Sequence, residues 1–204
     1  ATLANGTALQ SATRAVRVIE PSGAAWVARF PTSTSTADLI EPFRANVNNF
    51  LGALTTAGAS QHIAATLRPR ERAYLMHYSY RIAQQGFDPA TVPAMEGVDI
   101  CWLHRNATGE PDVGASRAAA QQMVNGYSIV HAPALASRHT EGRAIDVSIS
   151  WTDTLTILNG SGESESITST PRTGAGNTDL HAVGASYSVI KLLNDPPHWS
   201  DDGH

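Results

Sequence analysis

The sequence predicts an α+β fold in which helices flank a small antiparallel sheet. Two patterns carry that expectation. Apolar residues recur at helical spacing in several segments, as at Leu39, Phe43, Val47, Phe50, Leu51 and Leu54. They alternate strictly with polar residues at Ile145-Asp146-Val147-Ser148-Ile149-Ser150, the pattern of a half-buried strand. The chain has 204 residues, 42% hydrophobic and 16% charged, which suits a single domain over 1–204 with a real core.

In chain order, residues 1–35 are expected to form an N-terminal arm with one strand. The arm is apolar around Val16–Ile19 and Trp26–Phe30 and closes in the loop Pro31-Thr32-Ser33-Thr34-Ser35. A helix follows, with Thr36 as N-cap, Asp38 in its first turn, Pro42 near its start and Gly58 as its stop. His62–Leu67 reads as a strand ended by Arg68-Pro69, and Glu71–Gln85 as a helix with Leu75, Tyr78 and Ile82 on one face. A Pro-rich connection over 86–97 leads to a second strand at Val98–Leu103. After a loop over 106–114, Ser116 caps a short helix through Val124. Beyond the alternating strand, Thr154–Leu158 and Glu163–Thr168 flank Asn159-Gly160, which predicts a polar hairpin in an insertion over 152–176. The last helix is expected from Asp179 to Ile190, capped by Asn177 or Thr178, and Pro196-Pro197 keeps it from running on.

Composition narrows the function classes. The net charge is −4 and Lys191 is the only lysine among 14 basic residues, with no basic stripe, so nucleic acid is not an expected partner. No apolar run approaches the ~18–20 residues that cross a bilayer. Cys101 is the only cysteine and has no partner for an intrachain disulfide. The chain begins Ala1-Thr2-Leu3 with neither Met nor a charged-then-apolar leader, which fits a removed targeting segment or a trimmed start equally.

Two segments carry chemistry. In Ser137-Arg138-His139-Thr140-Glu141-Gly142-Arg143-Ala144-Ile145-Asp146, a loop histidine faces a carboxylate on the polar side of a strand, a sound start for a zinc site. A third ligand comes from Asn194-Asp195-Pro196-Pro197-His198-Trp199, where two prolines fix the backbone between a carboxylate and an imidazole. His139, Asp146 and His198 are thus expected to hold zinc with a fourth position open for water. Asp195 is the spare carboxylate suited to a general base, and Trp199 is expected to wall the site.

These residues resemble a known family. Ser137, His139, Gly142, Ala144 and Asp146 meet all five fixed positions of Ser-x-His-x-x-Gly-x-Ala-x-Asp. Such a match arises by chance in on the order of one chain in ten thousand of this length. With the late (Glu/Asp)-x-x-His at Asp195 and His198, the chain is similar to the zinc D-Ala-D-Ala metallopeptidases. That family includes vancomycin-resistance carboxypeptidases and dipeptidases and phage endolysin peptidases. The resemblance covers about residues 60–200. It implies a D-Ala-D-Ala carboxypeptidase/hedgehog-like fold with zinc on the sheet. It also implies hydrolysis of peptidoglycan stem peptides at a D-amino-acid bond, by a carboxypeptidase or an endopeptidase.

An arginine at an upstream strand-to-helix turn belongs to the same pattern, and Thr66-Leu67-Arg68-Pro69 has that context. Arg68 is therefore the expected group for a peptide carboxylate or the oxyanion. Ser137 and Trp199 are the further candidates for substrate contact. Two departures stand out: Ala73 occupies a place where the family often has Gln, and Asp195 replaces the Glu of the dipeptidase branch, as in endolysin and endopeptidase members. A peptidoglycan substrate implies the periplasm or the cell exterior. Two other classes stay open at this point: a non-catalytic, zinc-stabilised wall-binding module, and an interaction protein whose arm over 1–35 docks a protein partner.

Overall fold

The computed structural model describes residues 18–204; the portion of the expected arm over 1–17 lies outside them. The described residues form an α+β structure with four α-helices and small sheets. Strand β1 (Glu20–Pro21) precedes helix α1 (Phe43–Thr56), which starts later than Thr36. Thr36–Asp38 instead makes a separate 3₁₀ turn, capped by Ser35 Oγ accepting from the Ala37 amide at 3.2 Å. The physical reason is Pro42, which disfavours helical backbone at Glu41 and donates no N–H of its own.

Strand β2 (Ser60–Ala65) and helix α2 (Arg70–Gln85) follow, then β3 (Ile100–Cys101) and α3 (Val113–Gly126). The strand expected over 98–103 shrinks to two residues because among the described residues it pairs with the two-residue strand β1 alone, in parallel, while Val98 makes an isolated bridge to Met95. Asp112, not Ser116, caps α3, its Oδ1 accepting from the Ala115 amide at 2.8 Å. Ser116 Oγ is already committed to the Asp112 carbonyl and the His104 amide.

Strand β4 (Ala144–Ser150) is followed by β5 (Leu155–Leu158) and β6 (Ser164–Ile167), an antiparallel pair. Helix α4 (Thr178–Ser186) is capped by Asn177, whose Oδ1 accepts from the Leu180 amide at 2.9 Å. It ends short of Ile190 because Ser188 adopts φ 57° and turns the chain into strand β7 (Ile190–Lys191). Strand β8 (His198–Ser200) completes the main sheet.

That sheet has the order β2-β4-β8-β7 and is antiparallel throughout. Its two faces differ, as period-2 alternation requires. Ile145, Val147 and Ile149 of β4 and Trp199 of β8 are buried with Phe43, Val47, Phe50 and Leu54 of α1 and Leu180 and Val183 of α4. Asp146, Ser148 and Ser150 lie on the other face, half-buried or exposed. A second core joins α2 and α3 through Leu75, Tyr78, Ile82 and Met123, with Trp26 and Trp102. Among the described residues no helix is long and apolar enough to cross a membrane.

Close packing at Trp199 depends on Gly184 of α4. A Cβ there would lie 2.6 Å from Trp199 Cζ3 and 2.9 Å from the Val189 carbonyl oxygen. Gly184→Ala is therefore expected to cost about 1–3 kcal/mol through overpacking. Thermal unfolding should show a Tm lowered by several degrees, at about 2–4 °C per kcal/mol for a chain of this size.

Candidate metal centre

Each expected ligand is held by a different local device. His139 lies in the 3₁₀ turn Arg138–Glu141, which ends at Gly142 with φ 69°, a left-handed conformation that favours glycine. The Gly142 amide donates to the His139 carbonyl, folding the histidine over the start of β4. Asp146 sits in β4 opposite His198 of β8, and cross-strand partners share a face. The His139 and His198 side chains are 5% and 9% exposed and the Asp146 side chain 19%, so water competes weakly for them.

Their polar atoms converge. His139 Nε2 lies 3.1 Å from Asp146 Oδ1 and 3.2 Å from His198 Nδ1, and His198 Nδ1 lies 3.2 Å from the same Oδ1. The protons on the two rings follow from their other nitrogens. His139 Nδ1 faces the Thr66 carbonyl at 2.6 Å, and His198 Nε2 faces the His204 carbonyl at 3.1 Å. A carbonyl only accepts, so both of those nitrogens donate. In neutral rings, His139 Nε2 and His198 Nδ1 then carry lone pairs directed at a carboxylate oxygen. Three acceptors at this distance repel one another unless a cation or proton sits among them.

With a proton instead of a lone pair on the imidazole nitrogens facing Asp146, electrostatics also favour positive charge among these atoms. Burial alone would raise the Asp146 pKa, but hydrogen bonds and charge from His139 and His198 hold it far below the usual carboxylate range. Burial opposes charge on His198, yet Asp146 outweighs it and raises the imidazole above its ordinary value. The donor set fits a metal ion: with bonds near 2.1 Å, octahedral and tetrahedral shells have edges of about 3.0 and 3.4 Å, which bracket the triangle found. His139, Asp146 and His198 could thus hold a metal ion as a group.

A cavity of about 520 Å³ opens beside the triangle, lined by Arg68, Ser137, His139, Asp195, His198 and His204 among others. Arg68 enters it from the turn before α2, its amide donating to the His139 carbonyl at 3.0 Å. Burial lowers its guanidinium pKa, with Asp146 and Asp195 opposing and Arg72 adding to the shift. Arg68 Nε and Ser137 Oγ are buried and lack a hydrogen-bond partner among the described residues. Asp195 is exposed, on the loop between β7 and β8. Ala73, at the place where a glutamine was expected from the family pattern, is buried in α2 and offers no polar group.

Trp199 lies elsewhere than the sequence predicts. It does not wall the cavity; it is fully buried, with Phe50 at 5.5 Å and His181 at 5.6 Å between ring centroids. Neighbouring strand residues point to opposite faces, so placing His198 in the site sends Trp199 into the core. His181 is likewise occupied, its Nε2 against the Gly174 carbonyl.

Sequence reasoning missed the supports around the ligands. The Thr66 and His204 carbonyls orient the two rings, and no residue type marks a backbone oxygen. Arg138 and Arg143 pair with Asp202 and Asp201, tying the segment after β8 to the His139 turn. Lys191 also lies nearby, and its being the only lysine was the one signal available. No protein-family model matches the chain, and a search of curated proteins finds no match either.

Titration with zinc or cobalt is expected to raise the Tm. Metal at 100 times its Kd adds about 2.7 kcal/mol, roughly 5–10 °C for this size of chain. His139→Ala and Asp146→Ala should each abolish that increment in differential scanning fluorimetry. A wild-type Tm indifferent to metal would count against the site.

Proposed function

We propose that this chain is a zinc peptidase acting on peptidoglycan stem peptides at a D-amino-acid bond, in the periplasm or outside the cell. The observation that carries the reading is the set of unsatisfied polar groups around one cavity. Three donor atoms converge where a cation or a proton would sit, and Arg68 Nε and Ser137 Oγ are buried beside them with no partner among the described residues. Buried polar groups are paired in the great majority of cases, so orphans lining one cavity mark a place for a polar ligand. Two imidazoles and one carboxylate are a donor set of catalytic zinc. The sequence motifs support the D-Ala-D-Ala carboxypeptidase/hedgehog-like fold family, and an antiparallel sheet bearing two of the three candidate ligands, Asp146 and His198, is consistent with it.

When bound by His139, Asp146 and His198, zinc supplies Lewis acidity and lowers the pKa of water toward neutrality. The remaining work falls to the chain. Asp195 accepts the proton of the attacking water and returns it to the leaving amine. Arg68 donates from its guanidinium to the oxygen that gains charge as the carbonyl is attacked. Ser137 hydrogen-bonds the peptide beside His139 and fixes its register. Thr66 and His204 hold the imidazoles so that their lone pairs stay directed inward.

Zinc-loaded protein incubated with purified sacculi is expected to release products detectable by mass spectrometry of muropeptides. Loss of a terminal D-Ala identifies a carboxypeptidase, and loss of cross-linked dimers an endopeptidase. Asp195→Ala should reduce the rate about 10²–10⁴-fold, and Arg68→Ala about 10²–10³-fold, with zinc affinity within a few fold of wild type. Zinc-bound wild-type protein that leaves several wall types intact would sink the hydrolase reading in favour of a wall-binding module.

A further inference from the structure

The loop between β7 and β8 carries both Asp195 and His198, and its backbone closes on itself. The Asp195 amide donates to the Leu192 carbonyl at 3.2 Å, the His198 amide to the Asp195 carbonyl at 3.1 Å, and the Leu192 amide to the His198 carbonyl at 3.1 Å. Three bonds thus link residues 192, 195 and 198 in a ring. Lys191 Nζ donates to the same three oxygens, at 2.5 Å to Leu192 and Asp195 and 3.0 Å to His198.

An ammonium has three donors and no acceptor, and each carbonyl has two lone pairs. Every donor of Lys191 is used, and every carbonyl of the ring accepts once from an amide and once from the ammonium. Lys191 is only 6% exposed, and its Nζ lies 5.7 Å from the Trp199 ring centroid. A buried ammonium is tolerated only with such compensation. Arginine could not substitute for it, because a planar fork does not match three convergent acceptors.

We infer that Lys191 is a positioning residue: its buried ammonium fixes the loop that sets the Asp195 carboxylate against the His198 imidazole. The inference rests on reading Asp195 and His198 as base and metal ligand. Its consequence is that the loop is preorganised before metal or peptide arrives, so part of the metal affinity resides in a side chain that touches no metal.

Because Lys191 is the only lysine, protein labelled with ¹⁵N at lysine Nζ gives a single side-chain signal. In metal-free protein that ammonium is expected to exchange slowly with water, and a signal exchanging as fast as free lysine overturns the inference. Lys191→Met, without donors, should weaken zinc binding at least tenfold in a chelator competition, and Lys191→Arg should fall between it and wild type. Ile82→Ala, in the second core, lowers stability away from the loop and should keep wild-type zinc affinity. Unchanged affinity in Lys191→Met, or an equal loss in Ile82→Ala, removes the positioning role. Should Lys191→Met fail to fold, the exchange measurement decides together with Lys191→Arg, whose wild-type affinity would overturn the three-way fit. Zinc affinity is read without any hydrolysis: a wild type that binds zinc and cuts nothing refutes the peptidase reading and leaves this one standing.

Discussion

Mutual repulsion among three lone pairs is the constraint on which this site depends. Two imidazole nitrogens and a carboxylate oxygen lie 3.1–3.2 Å apart, and the other nitrogen of each ring is committed to a backbone carbonyl. Such a triangle is unfavourable when empty of positive charge and highly favourable around it. The protein holds it in place by spreading the cost over rigid supports. A 3₁₀ turn ending at Gly142, the register of β4 with β8, and the carbonyls of Thr66 and His204 each fix one coordinate.

The same sheet that presents Asp146 and His198 also anchors the main core. His198 and Trp199 are adjacent in β8 and necessarily point to opposite faces. One ring completes the donor triangle while the next is clamped by Phe50, Gly184 and His181. Packing of α1 and α4 against Trp199 therefore also sets where His198 can point. The geometry of the site and the stability of the fold share one short strand.

Two uses of buried polarity stand side by side. Lys191 is internally satisfied, its three donors matched by three carbonyls, and it stiffens the loop. Arg68 Nε and Ser137 Oγ are buried and unmatched among the described residues. A satisfied buried network rigidifies, whereas an orphaned group retains a desolvation cost that a ligand can relieve. Lys191 is used up inside the fold, whereas Arg68 and Ser137 line the cavity beside the triangle.

Much of this was legible in the sequence because it is written locally. The alternation at Ile145–Ser150 placed Asp146 on the polar face of a strand, and the Gly142 turn and the prolines at 196 and 197 marked where the two histidines are presented. Helix α2 was legible from its period, whereas α1 was misplaced at its start because a proline overruled a plausible cap. Strands β7 and β8 were invisible, since two or three residues hold no period. By itself the sequence determined which residue types could ligate and which strand face bears the carboxylate, because periodicity and turn chemistry act within a few residues. The tertiary structure alone decided that Trp199 belongs to the core, that Lys191 closes the loop, and which carbonyls orient the rings. Those outcomes depend on partners far along the chain, such as Thr66 and His139, 73 residues apart, and His139 and His198, 59 apart. A backbone oxygen carries no residue identity to read, and burial is settled only when the faces pack.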